Sequence, residues 1–305
     1  MDITSELDSL STEQAALLEA LLDEAAGGQQ PFLRPTVAAV REGKYPLFVV
    51  HGSGGRTFFL HALARHLSMP NGLYGIEAAE HRSATTAELG CSLYLEVLRQ
   101  VQPRGPYRIG GYSAGCLIAY EMAIRLQAMG ETVELVLLID PVSVPKRDAQ
   151  PRSVITPTER LRRRFAIASL TGITPLAREF PYLVQVDRVL SAITRDFRPA
   201  LFVGCVHLIH GRRGSYALAP QALEAWAALT TGGLQSATLD CDHFEIVCEP
   251  HITATAGQIS QWLAGLEFSD STATLAKLRS SGNQHAPIQH TDQADERIQP
   301  REIDG

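Results

Sequence analysis

From residue 36 to about residue 141, short apolar runs and amphipathic stretches take turns along the chain. TVAAV, PLFVVH and GLYGIEA are rich in Val, Leu, Ile and Phe and predict strands, while RTFFLHALARHL between them predicts a helix. A second helix is predicted over 87–101, where Thr85 and Glu88 have the spacing of a capping box. YRIGGY then predicts a strand, AGCLIAYEMAIRLQAMG a helix closed by Gly130, and VELVLLID another strand. After an interruption the alternation resumes with GCVHLIH, PQALEAWAAL, LQSATLD and ITATAGQISQWLAGL. Strands this uniformly apolar must be covered on both faces. The pattern therefore predicts an α/β fold, a mostly parallel central sheet with helices on both faces.

Three stretches stand outside this rhythm. Residues 1–30 predict a leading helix: Leu10, Leu17, Leu18, Leu21 and Leu22 recur at helical spacing, Ser11 and Gln14 form a capping box, and Gly27-Gly28 ends it. From 141 to 200 seven prolines break up helical fragments, as in an insertion of about 142–200. From Glu267 the chain turns to Ser, Thr, Gln, Asp and His, and 267–305 is expected to be a polar tail without regular structure. The main domain is thus expected over 31–266.

Composition narrows the class. With 305 residues, 45% of them hydrophobic and 20% charged, there is material for one large core. The longest apolar run, VELVLLI, is far shorter than the roughly 20 residues that span a bilayer. The acidic, polar N-terminus has no signal-peptide pattern, and five cysteines, an odd number mostly in apolar stretches, point to reduced thiols and a cytoplasmic chain. The net charge of −6 is unevenly spread: 1–30 holds seven acids and no Lys or Arg, whereas the insertion holds eleven Lys or Arg against five acids. No basic run is interleaved with aromatics, so a nucleic-acid partner is not expected.

The chemistry centres on Gly111-Tyr112-Ser113-Ala114-Gly115, which follows a predicted strand and opens a predicted helix. Only small neighbours let strand and helix approach closely enough for such a turn, and the turn lifts the Ser113 hydroxyl above the sheet at a helix N-terminus. A serine nucleophile needs a base, and the base an orienting acid. Of the downstream histidines (His207, His210, His243, His251, His285 and His290), His207 alternates within a strand, His210 lies just before Gly211, and His285 and His290 fall in the tail. His243, in Asp-Cys-Asp-His-Phe between the last strand and the last helix, is the expected base. The strand after the serine's helix ends in Asp140, stopped by Pro141, while the following strand offers no acid before Glu224, so Asp140 is the expected third member. Asp242, next to the histidine, would point away from its Nδ1. The backbone N–H groups of Ala114 and of Ser53, in His51-Gly52-Ser53-Gly54-Gly55, are the expected oxyanion donors. That glycine-rich loop lacks the Gly-Lys-Ser/Thr ending of a nucleoside triphosphate loop.

Together PLFVVHGSGG, QPRGPYRIGGYSAGCLIAYEMAIRLQAMGETVELVLLID, WAALTTGG and CDHFEIVCEPHI resemble the thioesterase domains of polyketide synthases and non-ribosomal peptide synthetases, an α/β-hydrolase family. The resemblance runs from about Pro31 to Leu266. It implies a triad of Ser113, Asp140 and His243, oxyanion donors at Ser53 and Ala114, and a helical lid over 142–200. It also implies an acyl or peptidyl carrier protein as partner, with the substrate held on phosphopantetheine and no other cofactor or metal. The lid arginines Arg162, Arg163 and Arg164 are expected to meet that acidic carrier, and the N-terminal acidic helix to offer a further docking face. His-Gly-Ser-Gly-Gly is closer to the chain-releasing type than to the proofreading type. Release by hydrolysis or macrocyclisation is the first expectation, ahead of proofreading, of an esterase or lipase acting on free esters, and of a non-catalytic binding module. Beginning at its own Met1, the chain reads as a free-standing releasing enzyme or an excised piece of a synthase.

Overall fold

The computed structural model describes residues 3–25, 32–68, 71–81, 87–142 and 197–281, together with 158, 161, 162, 164, 165, 183, 184, 186 and 190. Seven strands form one sheet: β1 (Phe32–Arg41), β2 (Leu47–Val50), β3 (Leu73–His81), β4 (Tyr107–Tyr112), β5 (Val133–Ile139), β6 (Val206–Gly211) and β7 (Leu234–Leu239), in the order β1-β3-β2-β4-β5-β6-β7. β1 runs antiparallel to β3 at one edge, and every other pairing is parallel. The central strands β2, β4 and β5 are largely buried, with β2 and β5 buried to their carboxyl ends and β4 as far as Gly111.

The helices divide between the two faces as the pleat dictates. Phe48, Val50, Ile76 and Ile109 pack with Tyr94 and Leu98 of α4 (Ala87–Val101) and with Ile118 and Met122 of α5 (Gly115–Ala128). Farther along that face, Leu117, Tyr120 and Ala123 of α5 meet Val136, Leu138, Val206, Leu208 and Trp226, the last from α6 (Pro220–Ala227). Alternate residues point the other way. A Cβ on Gly75 would lie 2.1 Å from Thr57 Oγ1, which precedes α3 (Phe59–His66), and His207 packs edge-on to Trp262 of α7 (His251–Ser281).

Two expectations need correcting. The leading segment is two helices: a short α1 (Ile3–Ser9) precedes α2 (Thr12–Ala25). The capping box forms between them, Ser11 N–H donating to Gln14 Oε1 at 2.8 Å and Gln14 N–H to Ser11 Oγ at 3.1 Å. At the other end, α7 continues to Ser281, past the expected start of a structureless tail at Glu267. Ala273, Leu275, Ala276, Lys277, Leu278 and Arg279 are all strong helix formers, which outweighs the polar character of that stretch. Residues 1–263 and 264–305 are separate compact units, the second described as helical as far as Ser281. Thr85, Gly27, Gly28 and most of 142–200 lie outside the described residues. Among the described residues no helix is long and apolar enough to cross a membrane.

Candidate active site

The serine stands at the carboxyl end of β4. Its φ of 56° is a left-handed conformation that costs a non-glycine residue on the order of 1 kcal/mol or more. Close packing holds it there. A Cβ on Gly111 would come within 2.4 Å of Gly115 O, and one on Gly115 within 2.1 Å of His51 O, so both flanking positions are closed to any side chain. Ser113 N–H donates to Ile139 O at 2.9 Å, and Asp140 N–H to Ile209 O at 2.7 Å. Tyr112 is paired in register with Ile139, which sets residues 113 and 140 side by side at the ends of adjacent parallel strands. Asp140 also has positive φ, 45°.

His243 arrives from the loop after β7. Its Nε2 lies 2.9 Å from Ser113 Oγ and its Nδ1 2.5 Å from Asp140 Oδ2, and all three residues are buried. The other carboxylate oxygen, Oδ1, accepts Gly211 N–H at 2.9 Å. Because the carboxylate can only accept, Nδ1 carries the proton and Nε2 is left to accept from the serine hydroxyl. Asp242, the sequence neighbour, turns its Oδ1 to the N–H groups of Phe244 and Glu245, both at 2.9 Å, and so closes the turn that carries the histidine.

Aromatic side chains that no sequence motif marks surround the imidazole. Tyr112 and Tyr216 stack on it with ring centroids 5.2 Å and 4.6 Å away, each inclined by 20°, and Phe244 meets it edge-on. Tyr112 O–H also donates to His243 O at 2.8 Å. Burial and then the nearby Asp140 carboxylate push the Tyr112 phenol well above its ordinary value, so it stays a donor. In sequence Tyr112 was visible only as the variable position of the motif. Tyr216 sits in a turn after β6 that carries no pattern of its own.

Ser53, in the loop after β2, and Ala114, at the head of α5, are the two amides expected to face an oxyanion. Among the described residues neither N–H donates a hydrogen bond within the chain. The rival histidines are engaged elsewhere. His207 packs on Trp262, and burial lowers it to about 4. His210 Nε2 meets Thr238 Oγ1 at 2.9 Å, and His251 lies 3.9 Å from Glu245. His285 and His290 lie outside the described residues.

Two of the three arginines have acidic partners within the chain. Arg162 is paired with Asp8 of the first N-terminal helix, and Arg164, nearly buried, lies 3.7 Å from Glu19 of the second. Leu7, Ala15 and Leu161 form a small core between these ion pairs, with Leu10, Leu18, Leu22 and Phe165 packed against it. Arg162 and Arg164, expected to meet a carrier, thus each pair with an acid of the N-terminal helices, which were expected to offer a separate docking face. Arg163 lies outside the described residues. Charges read along a sequence carry no direction, and two surfaces of opposite sign in one chain can neutralise each other.

A buried serine, imidazole and carboxylate in one hydrogen-bonded line, at the carboxyl edge of a mostly parallel sheet with helices on both faces, define an α/β hydrolase. Residues 45–263 match the family described as "Thioesterase domain", and the chain belongs to that family. Among solved structures it is similar to the NocB thioesterase domain in covalent complex with a fluorophosphonate nocardicin G analogue, at 26% identity and a TM-score of 0.60, covering 74% of this chain and 99% of that one. Among curated proteins it is 33% identical over 129 residues to chondramide synthase cmdD of Chondromyces crocatus, covering 41% of this chain and 3% of that protein. It is also 25% identical over 248 residues to the dimodular nonribosomal peptide synthase of Bacillus subtilis (strain 168), covering 71% of this chain and 10% of that protein. The chain thus spans a tenth or less of the length of these synthases.

Proposed function

We propose that the protein is a serine thioesterase that takes a polyketide or peptide acyl chain from the phosphopantetheine arm of a carrier protein and releases it by hydrolysis or macrocyclisation. One observation carries this reading: Ser113, His243 and Asp140 form one hydrogen-bonded line, and it is supported by the Ser53 and Ala114 amides, which have no hydrogen bond within the chain among the described residues. His243 Nε2 takes the proton as Ser113 Oγ attacks the thioester carbon, and the Ser53 and Ala114 amides hold the resulting oxyanion. The carbon–sulfur bond then breaks, and the proton on Nε2 passes to the leaving sulfur to give the free thiol. The acyl-Ser113 ester that remains is attacked by water, or by a hydroxyl or amine of the chain itself. His243 again removes the proton and returns it to Ser113 Oγ. Asp140 fixes the tautomer and stabilises the imidazolium in both halves. The curated relatives are synthases, one of them a nonribosomal peptide synthase, which supports a carrier-bound substrate.

The test loads candidate acyl chains on a carrier protein and weighs enzyme and products. The wild type should show an acyl mass on the enzyme and a free acid or a ring, and Ser113→Ala neither. If loaded carriers stay intact while short nitrophenyl esters turn over rapidly, the enzyme acts on free esters instead.

A further inference from the structure

The loop that supplies the Ser53 amide is tied to the core through a histidine that takes no part in the relay. His51 follows β2 and is completely buried. Its Nδ1 lies 2.6 Å from Gly52 O, and its Nε2 lies 2.6 Å from Tyr94 Oη on α4. A carbonyl oxygen can only accept, so Nδ1 carries the proton. Burial lowers this histidine to about 4, so the ring is neutral near neutral pH and Nε2 has a lone pair free for the Tyr94 hydroxyl. The directions follow without remainder: Tyr94 O–H donates to His51 Nε2, and His51 Nδ1–H donates to Gly52 O. The same carbonyl also accepts Gly55 N–H at 3.0 Å, which occupies its second lone pair.

Gly52 O and Ser53 N–H belong to one peptide unit. In a planar trans peptide the carbonyl and the following N–H point in opposite directions, so fixing the first fixes the second. Gly52 has little room to move, since a Cβ there would lie 2.9 Å from the Tyr112 ring. A flexible glycine peptide at this position could otherwise turn over and present a carbonyl where an amide is needed. We infer that His51 and Tyr94 are positioning residues: by holding the Gly52 carbonyl inward they aim the Ser53 amide at the developing oxyanion. The inference rests on the reading of Ser53 as an oxyanion donor in a thioesterase. Neither residue touches the reacting atoms.

The test separates donor orientation from packing. His51→Asn keeps a short side-chain N–H near the place of Nδ1, His51→Leu keeps bulk without a donor, and Tyr94→Phe removes only the hydroxyl. Each is assayed for turnover of butyryl-pantetheine, for the rate at which a fluorophosphonate labels Ser113, and for melting temperature. Removing an oxyanion donor outright lowers kcat by about 10²–10³-fold. His51→Leu should lose kcat by about 10–100-fold with KM unchanged, label more slowly by a similar factor, and His51→Asn should recover most of both. Tyr94→Phe should lose about 3–10-fold by letting the imidazole relax. The inference is overturned if folded His51→Leu and Tyr94→Phe keep wild-type kcat and labelling, or if KM rises while kcat holds. A wild type that neither turns over the thioester nor labels at Ser113 overturns the proposed function itself, a different outcome from a working enzyme indifferent to positions 51 and 94.

Discussion

Two regions of this protein join acids to bases, and they do so differently. At the sheet edge His243 and Asp140 meet at 2.5 Å, and the carboxylate's other oxygen is held by the Gly211 amide. Hydrogen bonds to main-chain carbonyls fix the approach, from Asp140 N–H to Ile209 O and from the Tyr112 hydroxyl to His243 O. At the N-terminal seam, Asp8 meets Arg162 and Glu19 meets Arg164 around a small patch of Leu7, Ala15 and Leu161. There the pairing is made by long side chains, and the Asp8–Arg162 pair is about half open to solvent, with side-chain exposures of 45% and 42%. In the first region geometry is fixed and charge is used directionally. In the second, charge is neutralised where two surfaces pack, and direction matters little.

Substitutions should expose that difference, most strongly in the first region. Asp140→Asn keeps the shape but turns the histidine to the wrong tautomer, and thioester turnover should fall by about 10⁴-fold while the melting temperature moves little. Next in size is a pH effect at His51, the neutral counterpart of these pairs. Its folded value of about 4 lies below the ordinary 6.5, so the unfolded chain binds the proton more readily. The stability this contributes is therefore complete above pH 6.5 and is lost as pH falls toward 4, by about 3 kcal/mol in all. His207, lowered to about 4 by burial, acts in the same sense. Urea unfolding of wild type and His51→Asn across that range should show a shallower pH dependence for the variant.

Smaller effects are expected at the seam. Arg164→Met leaves the nearly buried Glu19 carboxylate without this partner and should cost about 1–3 kcal/mol by urea unfolding, with kcat preserved. Asp8→Ala, at the exposed pair, should change stability by less than about 1 kcal/mol, and the change should shrink further in high salt. A large loss of turnover in either seam variant would make the two regions more alike than their geometry says.

What could be read from sequence follows the same division. β4 and α4 fall on the very residues their patterns predict, because unbroken apolar runs and helical periodicity report burial directly. Asp140 and His243 were reachable because topology leaves few places from which an acid or base can approach Ser113. The Tyr112 and Tyr216 rings on the imidazole were not, since nothing in a sequence says which aromatic lies over which loop. Arg162 and Arg164 looked like one basic cluster, but their acidic counterparts stand about 150 residues earlier, a pairing decided only by tertiary packing. The short helix Ile3–Ser9 is too brief to hold by propensity alone, and the burial of Leu7 is what its pattern could not announce.

Because Tyr112 and Ile139 are neighbours in register, the spacing of serine and aspartate is set by a hydrogen-bonded ladder whose strands lie about 4.8 Å apart. The ruler for the reaction is thus the main chain of the sheet. Side chains carried on loops around the site can change without respacing the reactive groups, so selectivity and reactivity are free to evolve on separate clocks.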